Sequence, residues 1–265
     1  MSFSVLMSVY NKESPRYLRE CLLSLAGQDL PANELVLVED GPISSELSDV
    51  IESFRCELNI VSVKLESNVG LGLALNQGLQ ACRYNLVARM DTDDIAFPCR
   101  FEKQISFMER NPDISVLSGC IEEWDENMIN KLSKRNLPLT HQEIYRFAKT
   151  RSPISHPACV FIKSDVISAG CYPDIYPEDY QLWITMIQND CKFANLPDVM
   201  LKMRTGKQFI TRRGYKFLKG ELKIYRYMYK TGFINTFKYL KIVFLRSLLR
   251  LSPSFVKLFL YKYAR

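Results

Sequence analysis

Residues 85–98 read NLVARMDTDDIAFP: an apolar run from Leu86 to Met90 delivers three carboxylates within four positions, Asp91, Asp93 and Asp94. Like charges this close repel. A solvated turn, with an aspartate capping the next segment, accounts for a lone pair of such residues. Here the apolar lead-in has the composition of a buried strand, and a parallel sheet presents its binding edge at the carboxyl ends of its strands. Hard divalent cations such as Mg²⁺ or Mn²⁺ take oxygen ligands, Mg²⁺ commonly through one or two carboxylates and substrate phosphates. A cation bound at Asp93 beside a diphosphate would neutralise the cluster, which explains why the charges are tolerated.

The flanking sequence supplies the sheet. FSVLMSVY (3–10), ELVLVED (34–40), NIVSVKLE (59–66), NLVARM and ISVLSGCI (114–121) are strand-like. Between them lie segments with helical spacing: PRYLRECLLSLAGQ (15–28), 44–56, 72–83 and 98–110. Near-continuous apolar strands alternating with amphipathic helices predict an α/β fold, a mostly parallel sheet with helices on both faces. The loops YNKE, EDGPIS, NVGLG and DTDD then share one edge, and all are polar or Gly-rich. After residue 121 the rhythm is irregular: a helix near 140–149, SPISHP, the strand ACVFIK (158–163), a helix opened by PEDYQLWITMIQ (177–188), and two or three basic helices from Gly214 onward.

The chain has 265 residues, 47% hydrophobic and 24% charged, an ordinary folded composition. Its net charge of +6 hides a split: residues 201–265 hold 17 of the 35 Lys and Arg but one acid, Glu221. A basic quarter on an acidic body points to an anionic partner. The eight cysteines are scattered, without metal or redox spacing, and most read as reduced, buried small hydrophobes. The start, MSFSVLMSVYNKES, lacks a charged leader and reads as a first strand of a cytosolic chain. No stretch of about 20 uncharged apolar residues appears, which argues against a spanning helix.

SVYN, ELVLVEDG, NVGLGLALNQGL, ARMDTDDIAFPCRFEKQ and PEDYQLW occur in the order and spacing of bacterial family 2 glycosyltransferases. The resemblance covers about residues 3–205; its motifs are jointly specific, and it points most closely to enzymes that build O-antigen or exopolysaccharide repeat units. It implies a GT-A fold over 1–205, with a nucleotide-sugar half (about 1–120) and an acceptor half (about 121–205), followed by a basic helical region, 206–265. By the same resemblance Tyr10 and Asn11 line the nucleotide pocket, Asp40 accepts from the uracil imide, and Asn68, Gly70 and Leu71 lie beside the nucleoside. Glu39 stands where an Asp is more usual. Asp91 and Asp93 match the DxD pair, Asp93 as metal ligand and Asp91 nearer the ribose or donor sugar; Asp94 caps or orients the loop.

PEDYQLW carries the second carboxylate centre. The resemblance makes Asp179 the base that takes the acceptor proton in an inverting transfer, with Glu178 positioning acceptor or base. Without it, the pair also suits a helix N-terminus after Pro177, where acids complement the dipole. His156 is either a hydrogen-bonded structural residue or part of the site. Arg204, Arg212 and Arg213 resemble a basic flap on a diphosphate, the plain alternative being a solvated loop.

The tail, FINTFKYLKIVFLRSLLRLSPSFVKLFLYKYAR, alternates cations with bulky apolar residues. It suits an interfacial helix on an anionic membrane surface, a packing cap or an oligomer contact. It carries no nucleic-acid recognition motif. The reading that follows is a metal-dependent inverting transferase at the cytoplasmic face of a bacterial inner membrane. It would move glucose or galactose from a UDP-sugar to a polyprenyl-pyrophosphate-linked sugar, with N-acetylglucosamine as the analogous acceptor. A nucleotidyltransferase is the rival enzyme, but YNKESPRY lacks the basic Gly-rich loop that holds a triphosphate. A non-catalytic membrane-associated module is the third alternative.

Overall fold

The computed structural model describes residues 1–205 and 215–251. Its centre is one nine-stranded sheet whose strands run, in order across it, 60–64, 34–39, 3–9, 86–89, 160–162, 114–124, 192–204 and 95–96, with 131–135 also paired to 114–124. Strands β1 (Phe3–Val9), β2 (Glu34–Glu39), β3 (Ile60–Lys64) and β4 (Leu86–Arg89) run parallel. Each successive pair is joined by a helix: α1 (Pro15–Ala26), α2 (Ser45–Ser53) and α3 (Leu71–Ala81). Ser14 and Pro15 open α1, and the Ser44 hydroxyl caps α2 by accepting from the Leu47 amide at 3.3 Å.

The period-two rule explains why these strands are apolar throughout. Val5, Met7 and Val9 enter one core layer with Leu18 and Leu22 of α1, while Leu6 enters the other with Leu75 and Leu79 of α3. Both faces are covered, so neither can be polar.

The second half departs from the simple alternation. β6 (Ile114–Trp124) continues three residues beyond the expected strand and does not pair with β4. β8 (Val160–Ile162) lies between them, antiparallel to both. The strand is shorter than the expected 158–163, because Ala158 closes a 3-10 turn begun at His156 and Lys163 opens the next helix. β9 (Lys192–Arg204) pairs parallel with β6 and, at its end, antiparallel with β5 (Ile95–Ala96). β7 (Lys131–Arg135) forms a hairpin arm on β6. The remaining helices of the body are α4 (Arg100–Arg110), α5 (His141–Ala148), α6 (Lys163–Ser168) and α7 (Glu178–Gln188).

Two basic helices follow, α8 (Tyr215–Lys230) and α9 (Thr236–Leu251). Ile224, Tyr225, Met228 and Ile242 share a core with Trp183 of α7, so the described part of the C-terminal region packs on the body. All eight cysteines are reduced; four are buried, fewer than expected, because Cys56 is exposed and Cys99, Cys171 and Cys191 are half-buried. No described helix is long and apolar enough to cross a membrane.

Candidate active site

Register fixes the site. Val9, Glu39 and Lys64 lie side by side at the ends of β1, β2 and β3, and Leu6 sits opposite Arg89 near the end of β4. The loops carrying Tyr10, Asp40, Asn68 and Asp91 therefore leave the sheet at one edge.

Asp40 is buried, and its carboxylate accepts from the Asn68 side chain at 2.9 Å, the Val69 amide at 2.7 Å and the Gly70 amide at 3.1 Å. It thereby ties the loop before α3 to the end of β2. Gly41 follows with φ +83°, and a Cβ there would lie 2.7 Å from the Asn68 nitrogen. Only glycine lets the two loops touch. Tyr10 and Asn11 are exposed in the turn after β1.

The acidic loop rests on a set of polar contacts. Asp91, Asp93 and Asp94 offer carboxylate oxygens within 4.8 Å of one another. Asp91 pairs with Arg89, whose guanidinium is wholly buried and also donates to the Met90 carbonyl. The Thr92 hydroxyl donates to Glu13 at 2.6 Å, joining the loop to the turn before α1. Asp94 is buried; one oxygen accepts from the Arg204 backbone amide at 2.8 Å, and the other has no protein partner. Burial, reinforced by Asp93 and Asp91, raises the Asp94 carboxyl well above its ordinary range. An all-oxygen set with one orphaned buried carboxylate oxygen fits a hard divalent cation.

Arg204 sits beneath this loop. Its guanidinium donates to Glu20 at 2.6 Å, to the Asp93 carbonyl at 2.9 Å and to the Glu126 carbonyl, and lies 3.9 Å from the Tyr17 ring centroid. These contacts make it a clamp that holds the acidic loop to α1 and β9. Arg212 and Arg213 lie outside the described residues.

The second carboxylate centre packs against α3, and the charges of Asp91 and Arg89 act on its Glu178. Gly72 packs so closely on α7 that a Cβ would stand 3.0 Å from Glu178 Cβ. Asn76 forms two hydrogen bonds with the Tyr172 backbone, 2.8 and 2.9 Å, holding the loop that leads into α7. Glu178 and Asp179 occupy the first turn of that helix. The Ser152 hydroxyl donates to Asp179 at 3.1 Å. Burial raises the Asp179 carboxyl, opposed by the Ser152 hydrogen bond and the charge of Arg135. Glu178 is buried, and burial plus the charge of Asp179 push it up to about 7. His156 faces Glu178 at 3.7 Å and shares a 3.0 Å hydrogen bond with the Tyr172 hydroxyl. Burial, with Arg89 nearby, pushes this imidazole well below its usual value, so it is neutral at pH 7.

Sequence reasoning missed Arg89, Ser152, Tyr172 and Glu20. Of these only Arg89 carried a visible signal, a cation inside an otherwise apolar strand. The others depend on contacts that no spacing reveals.

A profile described as glycosyl transferase family 2 matches residues 4–170. The chain is 46% identical over 265 residues to the amylovoran biosynthesis glycosyltransferase AmsE of Erwinia amylovora, covering 98% of each chain. It is 38% identical over 267 residues to the UDP-Gal:alpha-D-GlcNAc-diphosphoundecaprenol beta-1,3-galactosyltransferase of Escherichia coli, covering 98% of this chain and 95% of that one. Among solved structures, S. aureus TarS 1–349 in complex with UDP-GlcNAc superposes with a TM-score of 0.70, covering 94% of this chain and 73% of that one. At 21% identity this likeness speaks for the fold alone.

Proposed function

The chain belongs to glycosyl transferase family 2, and from that premise we propose that it is an inverting galactosyl- or glucosyltransferase of polysaccharide assembly. Its donor is a UDP-hexose, and its acceptor a sugar, N-acetylglucosamine for preference, on a polyprenyl diphosphate. The galactosyltransferase relative, whose name gives both substrates, supports this choice. The observation that carries the reading is the proximity of two carboxylate centres, Asp91 to Asp94 and Glu178 with Asp179, close enough that the charges of Asp91 and Arg89 act on Glu178.

Asp179 is the base. Its half-buried carboxylate, tethered by Ser152, accepts the proton of the acceptor hydroxyl as that oxygen bonds to the anomeric carbon. The bond from that carbon to the UDP oxygen breaks on the opposite face, so configuration inverts and UDP leaves with the electron pair. Raising a carboxylate toward neutrality improves it as a base. Glu178, held against neutral His156, orients Asp179 and the acceptor. Tyr10, Asn11, Asn68 and Gly70 line the nucleoside site, with Asp40 toward the uracil and holding their loop. Asp91, Asp93 and Asp94 hold Mn²⁺ or Mg²⁺, Asp93 as the principal ligand. When bound, the cation neutralises charge on the leaving diphosphate. Arg204 keeps the acidic loop in place from below, and the neighbouring Arg212 and Arg213 serve the diphosphates. An acceptor carried on a lipid sets the reaction at the cytoplasmic face of the inner membrane.

A thermal-unfolding panel tests the donor class. UDP, GDP, CDP, dTDP and ATP are each added with and without Mn²⁺. A ligand at 100 times its dissociation constant stabilises by about 2.7 kcal/mol. UDP with Mn²⁺ should raise the midpoint, and Asp93→Asn should remove the metal's contribution. Preference for another nucleotide, or no response to metal, would overturn the donor and metal assignments.

A further inference from the structure

The two C-terminal helices carry complementary faces that the site does not use. In α8, Leu218, Glu221, Ile224, Tyr225 and Met228 are buried. On the opposite side Lys219, Lys223, Arg226 and Lys230 are exposed, spaced by four, three and four residues, which aligns them in one row. None of the four pairs with an acid among the described residues. Glu221, the only acid of either helix, lies in the core 3.8 Å from Arg246.

In α9 the exposed face is largely apolar, with the exposed Lys241 set within it. Phe237, Leu240, Phe244, Leu245 and Leu248 are 49–77% exposed, at spacings that make a stripe along one side, while Ile242 packs inward. Large apolar side chains collected on one exposed helix face mark a contact surface, not random exposure.

We propose that this helical hairpin docks on an anionic lipid bilayer, the α9 stripe entering at headgroup level and the α8 row lying over lipid phosphates. Charge selects this occupant. Residues 201–265 carry 17 cations against one acid, so a second copy seated on the stripe would bring two strongly positive regions together. The chain beyond α9 cannot neutralise the row either, since residues 252–265 add Lys257, Lys262 and Arg265 and no acid. A nucleic acid would satisfy the cations and leave the phenylalanines and leucines in water. A bilayer with anionic headgroups satisfies both faces at once. The inference rests on the two helix surfaces and not on the transferase reading.

The test is vesicle flotation of the full chain. Vesicles are pure phosphatidylcholine, or phosphatidylcholine with about one-third phosphatidylglycerol. Wild type should float with the anionic vesicles. The double variant Leu240→Ser/Phe244→Ser should lose at least about tenfold in partitioning. Lys219→Gln/Lys223→Gln/Arg226→Gln should lose a similar factor, an effect reproduced in the wild type by high salt. Both variants alter exposed positions, and their UDP affinity in solution should match wild type, separating this surface from the donor site. Wild type that fails to float, variants that float as well as wild type, or a wild-type dimer that Phe244→Ser dissociates would each overturn the proposal.

Discussion

The guanidinium of Arg89, wholly buried beneath the end of β4, donates to the carboxylate of Asp91, whose side chain is 34% exposed. A buried cation needs that partner, since its Nε has none and its other hydrogen bond goes to the neutral Met90 carbonyl. Removing one member of such a pair strands the other. Asp91→Asn should therefore destabilise the fold by about 2–3 kcal/mol, the lower end because Asp91 is partly solvated. Adding Arg89→Met to it should recover a large part of that loss. Urea unfolding of both single variants and the double gives the coupling directly; strictly additive effects would show that the pair does not interact.

Glu178 sets a pH dependence of stability. Its carboxyl is pushed up to about 7 in the folded chain from an ordinary 4.5, by burial and by the charge of Asp179. The folded state thus holds this proton more tightly than the unfolded chain. The resulting stabilisation is complete below pH 4.5 and disappears as pH rises through about 7, on the order of 3 kcal/mol in all. Glu178→Gln should flatten this part of the stability profile and leave the variant more stable than wild type at pH 8. Unfolding midpoints at pH 5 and 8 decide it.

Gly220 of α8 lies against the loop that leads to the base: a Cβ there would stand 1.5 Å from the Tyr176 carbonyl oxygen. In an exposed helix interior, Gly→Ala stabilises by about 1 kcal/mol. Here the sign should reverse, because an added methyl must push α8 off Tyr176 or move the loop, at a cost of about 1–3 kcal/mol. Transfer by Gly220→Ala should also fall, with a lower kcat and little change in donor KM, since Asp179 follows that loop and Asp40 does not. A more stable variant with full activity would contradict this.

The first four strands and their helices were legible because a strand covered on both faces must be apolar, as Val36, Leu37 and Val38 are. The direction and placement of β8 were not, since an apolar triplet does not say which neighbour it joins. β9 was missed for a plainer reason: KFANLPDVMLKMR carries Pro197 and Asp198, and its pairing with β6 shifts register around Gly119 and Cys120. The polar β7, KLSKR, gave no apolar period at all. In the site, the carboxylates could be read as residue types in loops. The clamp made by Arg204 and the tether from Ser152 to Asp179 could not, because each joins segments far apart in the chain.

Gly41 gives a separate handle on the nucleoside side. Its φ of +83° is strained for any other residue, and a Cβ would meet the Asn68 backbone. Gly41→Ala should cost about 1–2 kcal/mol in stability and weaken UDP binding measured by calorimetry. Unchanged affinity would remove the Asp40 to Gly70 contact from the donor site.

Transfer itself remains the sharpest test. Purified protein is incubated with Mn²⁺, α-linked UDP-galactose or UDP-glucose, and a synthetic N-acetylglucosamine diphosphate lipid, and the product linkage is assigned by NMR. A β-linked product should form with wild type, and Asp179→Asn, folded by circular dichroism, should be slower by about 10²–10⁴-fold. An α-linked product, or wild-type rates from Asp179→Asn, would contradict inversion driven by that carboxylate.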